Sequence, residues 1–226
     1  GFNIEKEPFD DVRVRQAVSM LINVDSILAG IYDGYGVASV GPLAQGVFGY
    51  DDSMKPLSYD VDAAKALLAE AGLEDGFKTT IWTNDNQQRM DTAVIVQQEL
   101  KKANIDVAIE VVEWGAYLDK TASGEHEMFI LGLSNPVGDA DYFLSQLFHS
   151  ENMGGPGNRT FYENAEVDKL LVEARQVIDE SKRQALYTKV QEILIEEAPM
   201  VYIHHQAYLT GVSDQIEGYW IDSSGY

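Results

Sequence analysis

The sequence predicts an α/β fold in which a mixed or parallel sheet is flanked by helices. Three observations carry that reading. Between residues 77 and 148 the hydrophobic period switches repeatedly between 2 and 3.6, in the order β-α-β-α-β-α. The last third holds two amphipathic helical stripes in succession. The chain has 226 residues, 45% of them hydrophobic, which is enough to bury a core without disulfides or metals.

Taken in order, Asp10 and Asp11 cap a first helix whose apolar face is Val14, Ala17, Val18, Leu21 and Ile22. Asp25 is expected to open a short helix over 26–32 that ends at Gly34 and Gly36. Residues 35–58 keep no period and read as a long loop. Asp60 caps a helix carrying Ala64, Leu67, Leu68 and Ala71, closed by Gly72. A strand follows at Phe77–Thr83, then a helix at Met90–Ala103. Ile105–Val112 alternates as a strand with Ile105, Val107, Ile109 and Val111 on one face. A short helix at 115–122, an apolar strand at 128–133 and a helix at 140–148 complete the middle. Parallel strands joined by crossovers are the expected result.

The helical pair consists of one stripe from Val167 to Ile178 and another through Leu186, Val190, Ile193 and Leu194, stopped by Pro199. Val201, Ile203 and Tyr208 suggest a strand, and Glu217–Ile221 a further one. No internal repeat and no linker divides the chain.

Composition removes several functions. There is no Cys, so thiolate metal sites, iron–sulfur clusters and thiol nucleophiles are excluded. Lys and Arg number 16 against 37 Asp and Glu, a net charge of −21. That surface repels phosphate backbones and anionic lipid, so no nucleic-acid partner is expected. No apolar run reaches the ~18 residues of a membrane span. The chain opens at Gly1 on strand-like residues, and a piece of a longer protein is the expectation.

In an open parallel sheet, ligands sit beyond the carboxyl ends of the strands. Three such ends are legible: Trp82-Thr83-Asn84-Asp85-Asn86 leading to Arg89, Glu113-Trp114, and Leu133-Ser134-Asn135-Pro136-Val137-Gly138-Asp139. Their convergence would gather Asn84, Asn86, Arg89, Trp114, Ser134 and Asn135, a mixture suited to holding a polar small molecule. Trp114 reads equally as a half-buried core residue. Arg89 opens a helix, where the dipole disfavours a cation; that misfit favours a ligand contact, and a salt bridge to a surface acid is at least an equal reading. Asp139 and Asp141 read first as caps.

His204 and His205 are adjacent on a strand and face opposite sides, so they share no metal. The Gly154-Gly155-Pro156-Gly157 segment has no following Lys-Ser/Thr and reads as a turn. Neither a metal nor a cofactor is expected, and no catalytic constellation is legible. The competing reading is a small α/β hydrolase using Asp139, Asp141 and His149, which requires those groups to converge.

The motifs Pro8-Phe9-Asp10-Asp11-Val12-Arg13-Val14-Arg15-Gln16-Ala17-Val18 and Ile22-Asn23-x-Asp25 resemble the opening of the C-terminal lobe of the family 5 extracellular solute-binding proteins. The likeness continues through Tyr59-Asp60-x-x-x-Ala64-Lys65-x-Leu67-Leu68-x-x-Ala71-Gly72, Glu113-Trp114-x-x-Tyr117, Gly138-Asp139-Ala140-Asp141-Tyr142 and Asn164-x-Glu166-Val167-Asp168. It implies one lobe, residues 1–226, of a type II periplasmic-binding-protein-like clamshell. The implied partners are a peptide or modified peptide, the membrane permease of an ABC importer, and the N-terminal lobe of the same protein. The implied location is extracellular, as a cell-surface lipoprotein or a periplasmic protein. Trp114 matches a pocket aromatic, and Asp139 falls in the ligand loop. The family's loop places an aromatic and an amine-pairing acid where this chain has Leu133 and Pro136. Asp139 or Asp141 is the candidate substitute, and the Gly-Asp-Ala-Asp-Tyr version resembles the glutathione/peptide branch. Nickel and sugar ligands remain open.

Overall fold

The computed structural model describes residues 1–207 and 209–221. In chain order its elements are α1 (Val12–Leu21), α2 (Val24–Ile31), β1 (Val37–Ala38), α3 (Val61–Glu70), β2 (Lys78–Asn84), α4 (Gln87–Lys101), β3 (Asp106–Val112), α5 (Trp114–Ala122), β4 (Met128–Phe129), α6 (Ala140–Phe148), α7 (Ala165–Gln176), α8 (Glu180–Glu197) and β5 (His204–His205). All eight of these α-helices start on an acidic or amide cap: Asp11, Asn23, Asp60, Asn86, Glu113, Asp139, Asn164 and Asp179. Each cap oxygen accepts an N–H that the first helical turn leaves unpaired.

The main sheet has the order β3-β2-β4, with β2 parallel to both neighbours. Lys78 to Asn84 pair with Asp106 to Val112, and Ile81 and Trp82 pair with Met128 and Phe129. Phe2 adds one antiparallel bridge to Met128, which makes the sheet mixed. Successive residues of β2 face opposite sides. Ile81 therefore joins the core that α1, α3 and α4 close, with Phe9, Val18, Leu68, Val96 and Leu100. Trp82 joins a smaller cluster with Tyr117 and Phe129 beneath α5. A separate core binds α6, α7 and α8 through Leu144, Phe148, Leu171, Tyr187 and Leu194. At Gly76, where φ is +79°, a Cβ would stand 2.2 Å from the Asn104 carbonyl oxygen, so only glycine lets the chain enter β2 there.

Several expectations are corrected. Helix α2 begins at Val24, because the Asn23 side chain reaches the Ser26 N–H; Asp25 lies within the first turn. Strand β4 stops at Phe129 rather than running to 133. The Ile130 N–H still donates to Trp82, but the Ile130 carbonyl accepts from the Tyr117 hydroxyl (2.8 Å) instead of extending the ladder. The burial expected along one face of β3 fades toward its end, where Val111 is exposed. Helix α7 ends at Gln176, and Ile178, placed on its buried stripe by sequence, is 96% exposed. Asp179 begins α8 at that point, and the chain must extend to reach its cap. The strand expected at Val201–Tyr208 is reduced to β5, which pairs antiparallel with β1 inside the segment read as loop; Tyr208 lies outside the described residues. Residues 217–221 form no strand.

The remainder of the long 35–58 segment is held by α8. Gln191 donates to the Gly49 carbonyl (2.8 Å), Gln184 to that of Tyr50 (3.1 Å), and Thr188 to the Asp51 carboxylate (2.8 Å). A loop without a ladder needs such side-chain partners for its polar groups. No single helix among the described residues is long and apolar enough to cross a membrane.

Candidate ligand-binding site

Parallel pairing brings the carboxyl ends of β2, β3 and β4 to one edge of the sheet. Asn84 ends β2, Trp114 follows β3, and residues 130–135 leave β4. Asn86 caps α4 by accepting the Arg89 N–H (3.1 Å), which points the Arg89 side chain back over the edge. Its guanidinium donates to Asn84 Oδ1 (2.9 Å) and lies 5.7 Å above the Trp114 ring. A Cβ on Gly132 would stand 3.4 Å from Arg89 Nη2, so the segment after β4 passes beside the same group. The edge thus joins Asn84, Asn86, Arg89 and Trp114, with Ser134 exposed two residues beyond Gly132.

Trp114 is 42% exposed and stacks on Tyr117, with ring centroids 6.0 Å apart and planes 15° apart. Tyr117 is fully buried and anchors this stack through its bond to Ile130. Burial pushes its hydroxyl far above the usual phenol range, so it stays protonated and donates. Sequence reading left Tyr117 out of the site; its place three residues after Trp114 on a helix was the available signal. Among the described residues Arg89 forms no ion pair with a carboxylate, although the chain holds 37 of them.

Asn135 and Asp139 have other duties. Asn135 donates to the Asp139 carbonyl (2.9 Å) and accepts from the Val137 and Gly138 N–H groups, closing its own turn. Asp139 caps α6, and both its oxygens receive the Arg183 guanidinium at 2.8 Å. The two ligand contacts expected at these positions are therefore engaged within the fold. Arg183 lies over Phe48 (4.9 Å) and Tyr187 (5.2 Å), and its pKa is raised by the Asp139 hydrogen bonds.

The hydrolase reading fails on geometry. Asp139 and His149 cap opposite ends of the nine-residue helix α6, roughly 15 Å apart at 1.5 Å per residue. Asp141 accepts from Arg175 (2.7 Å) and Ser145 (2.9 Å), and His149 Nδ1 accepts from the Glu151 N–H. His126 is buried against Trp82 and Phe129, and its Nε2 contacts the Arg159 carbonyl (2.9 Å). Burial lowers its pKa to about 4, so the ring is neutral. His204 packs on Tyr32, while His205 Nε2 meets the Ser39 hydroxyl at 2.7 Å. No group of three or more His, Asp or Glu side chains among the described residues sits close enough to hold a metal.

At the strand-end edge Trp114 and Ser134 are exposed, and Asn84 and Arg89 are half-buried. Two concavities lie elsewhere, one of about 220 Å³ beside the α1–α2 turn and one of about 540 Å³ between α1, α7 and α8. One wall of a site gives a surface; a ligand becomes enclosed only when something covers it.

Residues 1–155 match the family described as bacterial extracellular solute-binding proteins, family 5 (middle), and the chain belongs to that family. It is 33% identical over 232 aligned positions to the dipeptide-binding protein of Escherichia coli K12, covering 100% of this chain and 43% of that protein. It is 34% identical over 233 positions to heme-binding protein A of Haemophilus influenzae, covering 100% of this chain and 42% of the relative. The chain therefore spans well under half the length of these relatives. Among solved structures, it resembles the periplasmic binding protein DppA of Helicobacter pylori in complex with the peptide STSA. The TM-score is 0.86 and the identity 40%, over 91% of this chain and 40% of that one. A dipeptide-binding protein of Pseudoalteromonas sp. SM9913 in complex with Met-Leu gives a TM-score of 0.85 at 29% identity, over 91% of this chain and 41% of that one. The α/β architecture is that of the type II periplasmic binding proteins.

Proposed function

We propose that this family 5 chain is one lobe, residues 1–226, of a receptor that captures a peptide or modified peptide outside the cell and delivers it to the permease of an ABC importer. The observation that carries this reading is Arg89, held by Asn84 and Trp114 at the strand ends with no carboxylate partner among the described residues. An unpaired guanidinium on an open face of a strongly acidic chain is a recognition element for an anionic group. The ligand's carboxylate docks on Arg89, an apolar side chain lies against Trp114, and Asn84 and Ser134 bond its backbone amides. Asn86 and Asn135 shape the rim, and Asp139 supports it through Arg183.

Positions 133 and 136 carry Leu and Pro, and Asp139 is neutralised, so no acid is left at the loop for a free amino terminus. That favours ligands whose amine is modified or bound elsewhere. The lobe performs no chemistry on the ligand, because the two carboxylates of the ligand loop, Asp139 and Asp141, are held by Arg183 and Arg175. The second lobe of the same protein supplies the other wall, and the receptor works on the outer side of the membrane, as a lipoprotein or a periplasmic protein.

Calorimetric titration with glutathione, Met-Leu and the tetrapeptide Ser-Thr-Ser-Ala tests this. One wall supplies about half of the contacts while the association entropy cost, ~4 kcal/mol or more, is unchanged, so binding to this chain is expected in the millimolar range. Arg89→Gln and Trp114→Ala should each weaken it about tenfold, equivalent to 1.4 kcal/mol. Binding untouched by both variants, or steady turnover of any probe, would sink the proposal.

A further inference from the structure

The carboxyl end of β2 carries a second charged side chain beside Arg89. Asp85 follows Asn84, the last residue of the strand, and is exposed. Asn84 turns one end of its amide to each of the two charges. Its Oδ1 accepts from Arg89 Nη1 (2.9 Å), and its Nδ2 stands 3.4 Å from Asp85 Oδ1. The first contact orients the second, because an amide whose oxygen faces a guanidinium presents its N–H groups the other way. One amide therefore touches an acid and a base. Among the described residues neither charge forms an ion pair, with the other or with any third group.

Local structure does not consume Asp85. The cap of α4 is Asn86, whose oxygen accepts the Arg89 N–H. An acid near a helix start is explained by the dipole alone. The dipole does not explain an acid and a base held on one amide and kept apart. Two opposite charges so placed suit a ligand that carries both of its own charges close together. The head of an α-amino acid does so, with ammonium and carboxylate on one carbon and about 3 Å apart. With charge-assisted bonds of about 2.8 Å on each side, such a head bridges two groups that share a spacer without touching each other. A linear peptide, with its free termini at opposite ends, offers only one charge to this place.

We propose that Asp85 and Arg89 form a clamp for the zwitterionic head of an α-amino acid, Asp85 accepting from the ammonium and Arg89 donating to the carboxylate, with Asn84 setting their spacing. This rests on the strand-end edge being the ligand site, and it narrows the ligand class. The ligand is a peptide whose free amine and free carboxylate sit on one carbon, as at a γ-glutamyl end. Asp85 is then the amine partner that Leu133 and Pro136 do not supply.

The test is calorimetric titration of the full chain with three probes. Glutathione carries the zwitterionic head at its γ-glutamyl end, N-acetyl-glutathione lacks the ammonium, and Met-Leu has its charges at opposite ends. Glutathione is expected to bind about tenfold more tightly than either of the others. Asp85→Asn should weaken glutathione about tenfold and leave N-acetyl-glutathione unchanged, whereas Arg89→Gln should weaken both. Long-range charge runs the other way: removing an acid from a chain of net charge −21 favours an anionic ligand, so only direct contact produces the loss. The proposal is overturned if glutathione does not saturate the parent, if Met-Leu or N-acetyl-glutathione binds as tightly, or if Asp85→Asn spares glutathione or weakens both glutathione forms equally. Where Asp85→Asn has no effect but Arg89→Gln still weakens binding, the strand-end site stands and the clamp alone falls. Where neither variant has an effect, both fall.

Discussion

Arg89 and Arg183 are built from the same parts and end in opposite conditions. Each guanidinium lies over an aromatic ring, Arg89 over Trp114 and Arg183 over Phe48 and Tyr187. Arg183 then receives both oxygens of Asp139, in a pair whose side chains are about three-quarters buried. Arg89 receives one amide oxygen from Asn84. The first arrangement is closed: it joins α8 to the start of α6 and uses four of the five guanidinium N–H groups, two of them on the carboxylate. The second is open, and its unfilled donors face the edge where the sheet presents its strand ends. An arginine becomes a binding group through the partner it lacks.

Breaking the closed arrangement should have the largest effect. Asp139→Ala removes the α6 cap and leaves Arg183 without its counter-ion, at an expected cost of about 3 kcal/mol. In a chain of this size that corresponds to roughly 6–12 °C in Tm, read by thermal melting. The open arrangement should tolerate Arg89→Gln with a change below about 0.5 kcal/mol, the usual range for surface substitutions. Equal losses in the two variants would erase the distinction.

Acid should weaken the packing at the start of β4 next. His126 has its folded pKa lowered from 6.5 to about 4, so the unfolded chain takes up the proton first. The stability of the neutral ring is present above pH 6.5 and is lost as pH falls toward 4, about 2 kcal/mol of it by pH 5. His126→Phe should flatten the decline in denaturation midpoint between pH 6.5 and 5. A decline of undiminished slope would assign acid sensitivity to another group.

Tyr117→Phe keeps the ring under Trp114 but removes the hydrogen bond to Ile130. A loss of about 1 kcal/mol is expected in urea titration, with faster hydrogen exchange at residues 130–132. Unchanged exchange there would mean that the segment after β4 does not depend on Tyr117.

The smallest effect on stability comes from converting the open arrangement into a closed one. Gly132→Asp would set a carboxylate beside Arg89 Nη2. Stability should rise by about 0.5 kcal/mol or less, the range of an exposed ion pair. Binding of the anionic probe glutathione should fall about tenfold, since the guanidinium would already be occupied. Undiminished binding would show that Arg89 is not the anion contact.

The sequence by itself determined the parts that rest on neighbours a few residues apart. The caps at Asp11, Asp60 and Asp139, the stripe Val167-Leu170-Leu171-Ala174 and the alternation of β3 follow from local hydrogen bonding and from helical and strand periods. So did the order of strands and helices, and with it the edge where Asn84, Arg89 and Trp114 meet. Contacts between distant residues were decided only by the tertiary structure. Asp139 looks the same in sequence whether or not Arg183, 44 positions later, reaches it. Strand β4 ends early because Tyr117 takes one carbonyl, β5 exists because β1 is there to pair with it, and Ile178 is apolar yet exposed because α8 starts at once. A side chain's chemistry is written at its own position, but whether that chemistry is spent depends on which partners the folded chain brings within hydrogen-bonding distance.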